Sequence, residues 1–400
     1  MPQPDRANRA PERTKIFLVC SGLGNVHRGY EAFMRDCFEV MRAEPAIDAW
    51  LFKGGGDGST RDITVANLAR ESLGARVLGQ VTRRGAYVVE QVTFALGLLH
   101  PIGRHRPDLV YYCDPSVGRV LWNWRRLTGR QFRLLFHNGG PHPAPFQWCD
   151  HVHQLTPIAA TEADLKGHGS SRQTLIPCGI RMETRPAISL DERDAIRRLQ
   201  GIPLDRPVVL SVGALNRGHK RMEYLVKELA ALPEPRPFLV MLGQVESETP
   251  AVRATANLFL GSAGYLMRTV SRAEMDDYYR SADVFVLASL HEAFGLSYVE
   301  AMSHGLPCLA HDYPVARYVL GSEGYFGDFR RPGALAIRLA AVLNQPDSST
   351  SRLRRHFAVK SRFGWAALAP EYVAMFERCV AEEVPIEPAP VRLEAPAEAS

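Results

Sequence analysis

Cysteine is scarce and odd in number: the chain has seven in four hundred residues, with no Cys-x-x-Cys among Cys20, Cys37, Cys113, Cys149, Cys178, Cys308 and Cys379. This excludes a disulfide framework and a structural zinc site, and it points to a reducing cytoplasm. Long apolar runs are missing too. No stretch holds eighteen uninterrupted apolar residues, and residues 86–102, which come nearest, are broken by Glu90, Gln91 and His100, so no membrane span is expected. Residues 1–13 are polar and lack the apolar centre of a signal peptide. Lysine is absent from residues 61–133, where twelve Arg face only five acids, Asp62, Glu71, Glu90, Asp108 and Asp114. A local excess of this kind suits anionic phosphates or lipid headgroups as well as plain solvation, so a peripheral contact at the inner face of a membrane is one expectation. Nothing in the sequence marks a nucleic-acid binder.

What remains is the composition of a globular protein, 46% hydrophobic and 23% charged with a net charge of +5. The length suits two domains of about 150–200 residues each. Short β-branched runs alternate with amphipathic stretches, the pattern of parallel sheets covered by helices. Strands are expected at residues 15–20, 47–52, 109–113 and 132–136, with a helix over 28–43. A second series is expected at 207–212, 237–242, 284–287 and, last, 307–310. The reading is therefore α/β, with two doubly wound units at 14–186 and 187–350 joined through Ile176-Pro177-Cys178-Gly179-Ile180 and the segment to Pro186. Residues 351–382 read as one long closing helix that carries Phe357, Phe363, Trp365, Tyr372 and Phe376. The ends, 1–13 and 383–400, have too little apolar surface to order themselves.

Glycines Gly22 and Gly24 stand at the first strand-to-helix turn, where backbone approaches a ligand and a helix N-terminus favours anions. A dinucleotide fingerprint needs a third glycine where this chain has His27, and an acid where it has Lys53, which counts against a nicotinamide-dependent oxidoreductase. Gly213 ends a later strand and is followed by Arg217, His219 and Lys220, cations that suit a diphosphate at a sheet mouth. Most informative is the stretch from Ala288 to Met302. It holds Glu292, then Phe294-Gly295-Leu296 opening a helix, then Glu300 one turn in. First-turn amides are free donors for a phosphate, and two ionised carboxylates accept hydrogen bonds from a sugar or ribose. His137 ends the strand at 132–136. His151 and His153 alternate on a further strand without a third metal ligand.

Glu292-x7-Glu300 with Phe294-Gly295-Leu296, Ala301-Met302 and Gly305-x-Pro307 resembles the signature of the retaining glycosyltransferase family 4, the glycosyl transferases group 1. The resemblance extends to Gly22, Gly24, Leu155-Thr156-Pro157, Ile176 to Ile180, Gly213 and Lys220. It implies the GT-B fold, two Rossmann-like domains facing a central cleft, with the C-terminal helix crossing back to the first. By similarity Glu292 contacts the donor sugar, Glu300 the nucleotide ribose, and Lys220 with a second cation the diphosphate, while His137 touches the donor sugar. Members often carry Arg directly after the glycine matched by Gly213. This chain has Ala214 there, and Arg217 is the candidate replacement. The expectation is a sugar transfer from a nucleotide diphosphate sugar to a hydroxyl acceptor with retention, in glycan, polysaccharide or glycolipid biosynthesis. With no Asp-x-Asp beside a strand end, no metal or other cofactor is expected. A non-catalytic nucleotide-sugar-binding protein is the alternative, disfavoured by the presence of both glutamates, Lys220 and His137.

Overall fold

Apolar strands covered on both faces build each half. The computed structural model describes residues 13–26, 28–140, 142–182, 189–345 and 347–381. In the first half, β1 (Thr14–Cys20), β2 (Ile47–Lys53), β3 (Asp62–Thr64), β4 (Leu109–Tyr112), β5 (Arg133–His137), β6 (His151–Gln154) and β7 (Gln173–Leu175) form one sheet in the order β3-β2-β1-β4-β5-β6-β7. All pairings are parallel, from Thr14 opposite Ile47 to Gln154 opposite Leu175. Helices α1 (Gly29–Met41), α2 (Leu73–Val81), α3 (Gly85–His105), α4 (Pro115–Thr128) and α5 (Pro157–Leu165) make the crossovers.

The second half repeats the plan. Helix α6 (Leu190–Gln200) leads into β8 (Val208–Val212), α7 (Met222–Ala230), β9 (Phe238–Leu242), α8 (Thr249–Leu260), β10 (Tyr265–Arg268), α9 (Arg272–Ser281), β11 (Val284–Leu287), α10 (Leu296–Ser303), β12 (Cys308–His311), α11 (Pro314–Leu320), β13 (Gly324–Gly327) and α12 (Ala334–Leu343). The strand order is β10-β9-β8-β11-β12-β13, again parallel. In both sheets the order reverses beside the first strand, between β1 and β4 and between β8 and β11. Ligands of open α/β sheets bind at such crevices, outside the carboxyl ends of the strands.

Two expectations need correction. The second sheet does not close at β12, because Gly-Tyr-Phe-Gly at 324–327 adds an edge strand too short and glycine-rich to read as one. The closing helix is two helices, α13 (Ser349–Phe363) and α14 (Trp365–Ala381), broken at Gly364 where the backbone bridges to Ile180. The Ile180 amide donates to Phe363 O and the Trp365 amide to Ile180 O, so the break ties the closing segment to the end of the first half. Of the five aromatic residues expected on that helix, Phe357 is 57% exposed. The others are buried, and α14 lays Trp365, Leu368, Tyr372, Met375 and Phe376 against α1, β4 and β5. The expected junction near 186 and most of the expected tails lie outside the described residues.

Candidate functional site

The carboxyl ends of both sheets open onto one cleft of about 1240 Å³, more than the roughly 300–1,000 Å³ that holds a single small ligand. That is room for two substrates. The cleft is lined from the first sheet by Gly24, Glu31, Asp36 and His137, and from the second by Gly213, Lys220, Glu292, Gly295, Leu296 and Glu300.

At the β8/β11 switch point, the loops after the two strands meet through Lys220 and Glu292. Lys220 Nζ donates to Glu292 Oε1 at 2.5 Å, and Ser289 Oγ donates to the same oxygen at 2.6 Å. Gly213 makes room for this reach, since a Cβ there would stand 2.9 Å from Lys220 Cε. Asn216 Oδ1 accepts from the Lys220 amide at 2.8 Å, and His219 Nε2 lies 3.0 Å from His291 O, so both loops are pinned to each other. Gly295 then caps α10 with φ of +87°, a left-handed turn that glycine adopts without strain. The first turn at Leu296 and Ser297 faces the cleft, where its unpaired amides and the helix dipole favour an anion. One turn on, Glu300 Oε2 accepts from Tyr279 Oη at 2.8 Å, and Arg272 Nη1 lies 3.5 Å from Oε1. Burial raises the Glu300 carboxyl above its ordinary range, with Arg272 and Tyr279 opposing the shift.

His137 completes the opposite wall. It is buried at the end of β5, stacked on Phe33 at 4.7 Å between ring centroids, and burial pushes its imidazole well below the ordinary value. It is therefore neutral at pH 7. His151 and His153 point to opposite sides of β6, the first with Nε2 2.8 Å from Thr174 Oγ1 and the second turned inward with Nδ1 2.7 Å from Tyr111 Oη, so they share no ligand position.

Two predicted residues, Arg217 and Gly22, stand elsewhere, and a third, Phe294, lines the cleft with a buried ring. Arg217 does not line the cleft: its side chain is 56% exposed and pairs with Glu223 at 2.9 Å, while its amide donates to Glu248 Oε2. In this structure its charge is met by Glu223 on the outer face of the loop. Gly22 serves packing, because a Cβ there would lie 2.4 Å from Glu31 Oε1. The Phe294 ring is buried edge-on to Phe363 at 5.6 Å and anchors the loop from below.

No local pattern announces the bridge that crosses the cleft. Arg272 Nη2 reaches Asp36 Oδ2 on α1 at 2.6 Å, and Arg181 Nε holds the other Asp36 oxygen at 3.1 Å, so the side chain that faces Glu300 also ties the two sheets together. A capping box at Ser271 and Glu274 marks the start of α9 but says nothing of a partner 236 residues away. Glu31 was also missed. Burial lifts its carboxyl to about 7, and Oε2 lacks a partner among the described residues. A first-turn acid is so ordinary for a helix that no sequence signal separates it.

Residues 192–360 match the family described as glycosyl transferases group 1. A D-inositol 3-phosphate glycosyltransferase of Xylanimonas cellulosilytica is 33% identical over half of this chain and half of its own length. One from Kineococcus radiotolerans is 27% identical over 72% of this chain and 76% of its own. The chain thus spans about half the length of the first relative and three quarters of the second. Among solved structures, Anabaena HepE in complex with UDP and glucose superposes with a TM-score of 0.72 at 16% identity, over 91% of this chain and all of that one, which shows the shared GT-B fold. Residues 192–360 thus form a domain of the glycosyl transferases group 1 family, set in a two-sheet frame of GT-B type.

Proposed function

We propose that the protein transfers a sugar from a nucleoside diphosphate sugar to a hydroxyl acceptor, with retention at the anomeric carbon. The observation that carries this reading is the Lys220–Glu292 pair at the β8/β11 switch point, beside the open first turn of α10. The diphosphate sits against Lys220 and the Leu296 and Ser297 amides, and the ribose hydroxyls donate to Glu300. Glu292 accepts from the sugar hydroxyls and keeps Lys220 aimed at the bridging phosphate. As the glycosidic bond breaks, negative charge grows on the departing diphosphate, and fixed dipoles and a cation stabilise it there more than in the ground state. The family resemblance supports front-face displacement, with the acceptor entering on the side of the departing group. The name of the Anabaena complex, which holds UDP and glucose, agrees with a nucleotide-sugar donor.

Lys220 and the α10 end supply the charge neutralisation that a divalent ion provides elsewhere. Turnover against a panel of nucleotide sugars is therefore expected to survive EDTA. Complete loss on chelation, restored by magnesium or manganese, would remove Lys220 from this role. Calorimetry with the free nucleoside diphosphate separates the two glutamates. Glu300→Ala should weaken binding by about 1.5–3 kcal/mol, the scale for a hydrogen bond to a charged group, while Glu292→Ala should lower turnover more than affinity. Equal affinity losses in both variants would show the roles to be misassigned.

The acceptor reading includes a peripheral membrane contact. Among the described residues no helix is long and apolar enough to cross a membrane. Helix α2 supports a surface contact instead: it buries only Ala75 and Gly79 and leaves Leu73, Val77 and Val81 on one exposed face, Leu73 at 78% and Val81 at 75%. Arg76, Arg83 and Arg84 stand exposed beside it. An apolar stripe with flanking cations is the pattern of an interfacial helix on anionic lipid. Leu73→Ser with Val81→Ser should abolish cosedimentation with phosphatidylglycerol vesicles and leave donor binding unchanged. Cosedimentation unaffected by the double change would exclude α2 as the contact.

A further inference from the structure

Buried polar groups behind the cleft wall fix one more property of His137. Its Nδ1 lies 2.7 Å from Tyr111 Oη and 3.1 Å from His153 Nδ1, and Tyr111 Oη lies 2.7 Å from that same His153 atom. The three atoms form a closed triangle, and all three side chains are buried. One corner is determined from outside it. His153 Nε2 is 2.8 Å from the carbonyl oxygen of Ile176, and a carbonyl only accepts, so that nitrogen carries the ring hydrogen. Burial pushes the His153 imidazole down to about 4, so the ring is neutral and its Nδ1 is a lone pair.

Two arrangements remain. Were His137 Nδ1 also a lone pair, two lone pairs would oppose each other across 3.1 Å, and the single hydrogen of Tyr111 would serve only one of its two neighbours. With a hydrogen on His137 Nδ1, Tyr111 donates to His153, His137 donates to Tyr111 Oη or His153 Nδ1, and every contact pairs a donor with an acceptor. A buried polar network is stable only when satisfied in this way.

We infer that Ile176 O, His153 and Tyr111 hold His137 as the Nδ1–H tautomer, so that Nε2 meets the cleft as a hydrogen-bond acceptor and recognises a sugar hydroxyl that donates to it. His137 and Gly139 line the cleft together, and the bare Cα of Gly139 leaves Nε2 uncovered, since a Cβ there would stand 2.6 Å from it. Tyr111 and His153 are positioning residues. Helix α14 closes the back of the network, with the Tyr372 ring edge-on to His153 at 5.2 Å and its hydroxyl donating to Pro177 O at 2.9 Å. The recognised hydroxyl rests on the donor-sugar reading of this cleft; the tautomer does not.

The test is nitrogen NMR on protein labelled in its histidine rings, with the His137 signals assigned by their absence from His137→Gln. The expected spectrum shows His137 protonated at Nδ1 and bare at Nε2. In His153→Phe the Tyr111 hydrogen is free to turn to His137 Nδ1, and the tautomer should flip. Tyr111→Phe is the milder change: the direct contact between the two histidines remains, and the original tautomer should persist. Donor sugars with single hydroxyls replaced by fluorine give a second readout. At one ring position the exchange should lower kcat/KM by roughly 10- to 100-fold, because fluorine cannot donate and Nε2 is left unpaired. That penalty should largely vanish in His153→Phe. An Nε2-protonated His137 in the unmodified protein would overturn the proposal. Absence of turnover with every nucleotide sugar would overturn the donor reading and the hydroxyl with it, while the spectrum still decides the tautomer.

Discussion

A chain stopped after Gln345 is expected to aggregate or to lack activity, whereas one stopped after Glu382 should keep full turnover. The difference lies in α13 and α14. Burying Trp365, Leu368, Tyr372, Met375 and Phe376 of α14 contributes about 1.5–3 kcal/mol each, which together rivals the roughly 5–15 kcal/mol of net stability that a folded protein has. The loss would also strip the first sheet, because Phe376 packs edge-on to Tyr111 at 5.4 Å and Trp365 stacks on Phe33 at 6.0 Å. In α13, Arg355 Nε donates to Gly305 O at 2.7 Å and His356 Nδ1 lies 2.6 Å from Ser303 O, so removing it uncovers the end of α10 as well. Size-exclusion chromatography and a turnover assay on both truncations decide the matter. A soluble, fully active protein ending at 345 would show that the crossing contributes nothing the cleft needs.

The frame was legible in the sequence because its signals are local. Buried parallel strands must be apolar runs, and Ile16 to Cys20, Val208 to Ser211 and Val284 to Leu287 are unmistakable as such. The loops that end those strands carry the cleft, so Lys220, Glu292, Gly295 and Glu300 came with them. What escaped notice is of two kinds. Edge strands such as Gln173 to Leu175 are short and half exposed, and pairing on one side asks little of their composition. Contacts across the cleft depend on how two separate sheets face each other, and neither Asp36 nor Arg272 carries any mark of its partner. Arg217 shows the reverse case. Its place in sequence fits a phosphate ligand, but the turn that brings Lys220 over Gly213 sends Arg217 outward to Glu223, a distinction only the backbone path makes.

That distinction sets the last expected result. Lys220→Met should lower kcat/KM by roughly 10²–10³-fold, the loss that follows removal of one group stabilising transition-state charge, and Arg217→Ala by no more than about threefold, as befits an exposed ion pair. The methionine keeps the length of the stem over Gly213 and removes only the charge, so the fall reports the ammonium. Two effects add in this variant. The departing diphosphate loses its cation, and Glu292 loses a partner, left with Ser289 as the donor to Oε1 and a carboxylate that repels the phosphates. A second change separates them. Glu292→Gln placed on Lys220→Met removes the stranded charge, so Tm and nucleotide affinity should recover in part while turnover stays low, because no neutral amide replaces an ammonium at a growing negative charge. Comparable turnover in Lys220→Met and in the unmodified protein, or a larger loss from Arg217→Ala, would mean that the loop rearranges when the donor binds and that Arg217 swings into the cleft after all. Lys220 would then be a structural partner of Glu292, and the catalytic cation would lie outside the pair that the β8/β11 switch point brings together.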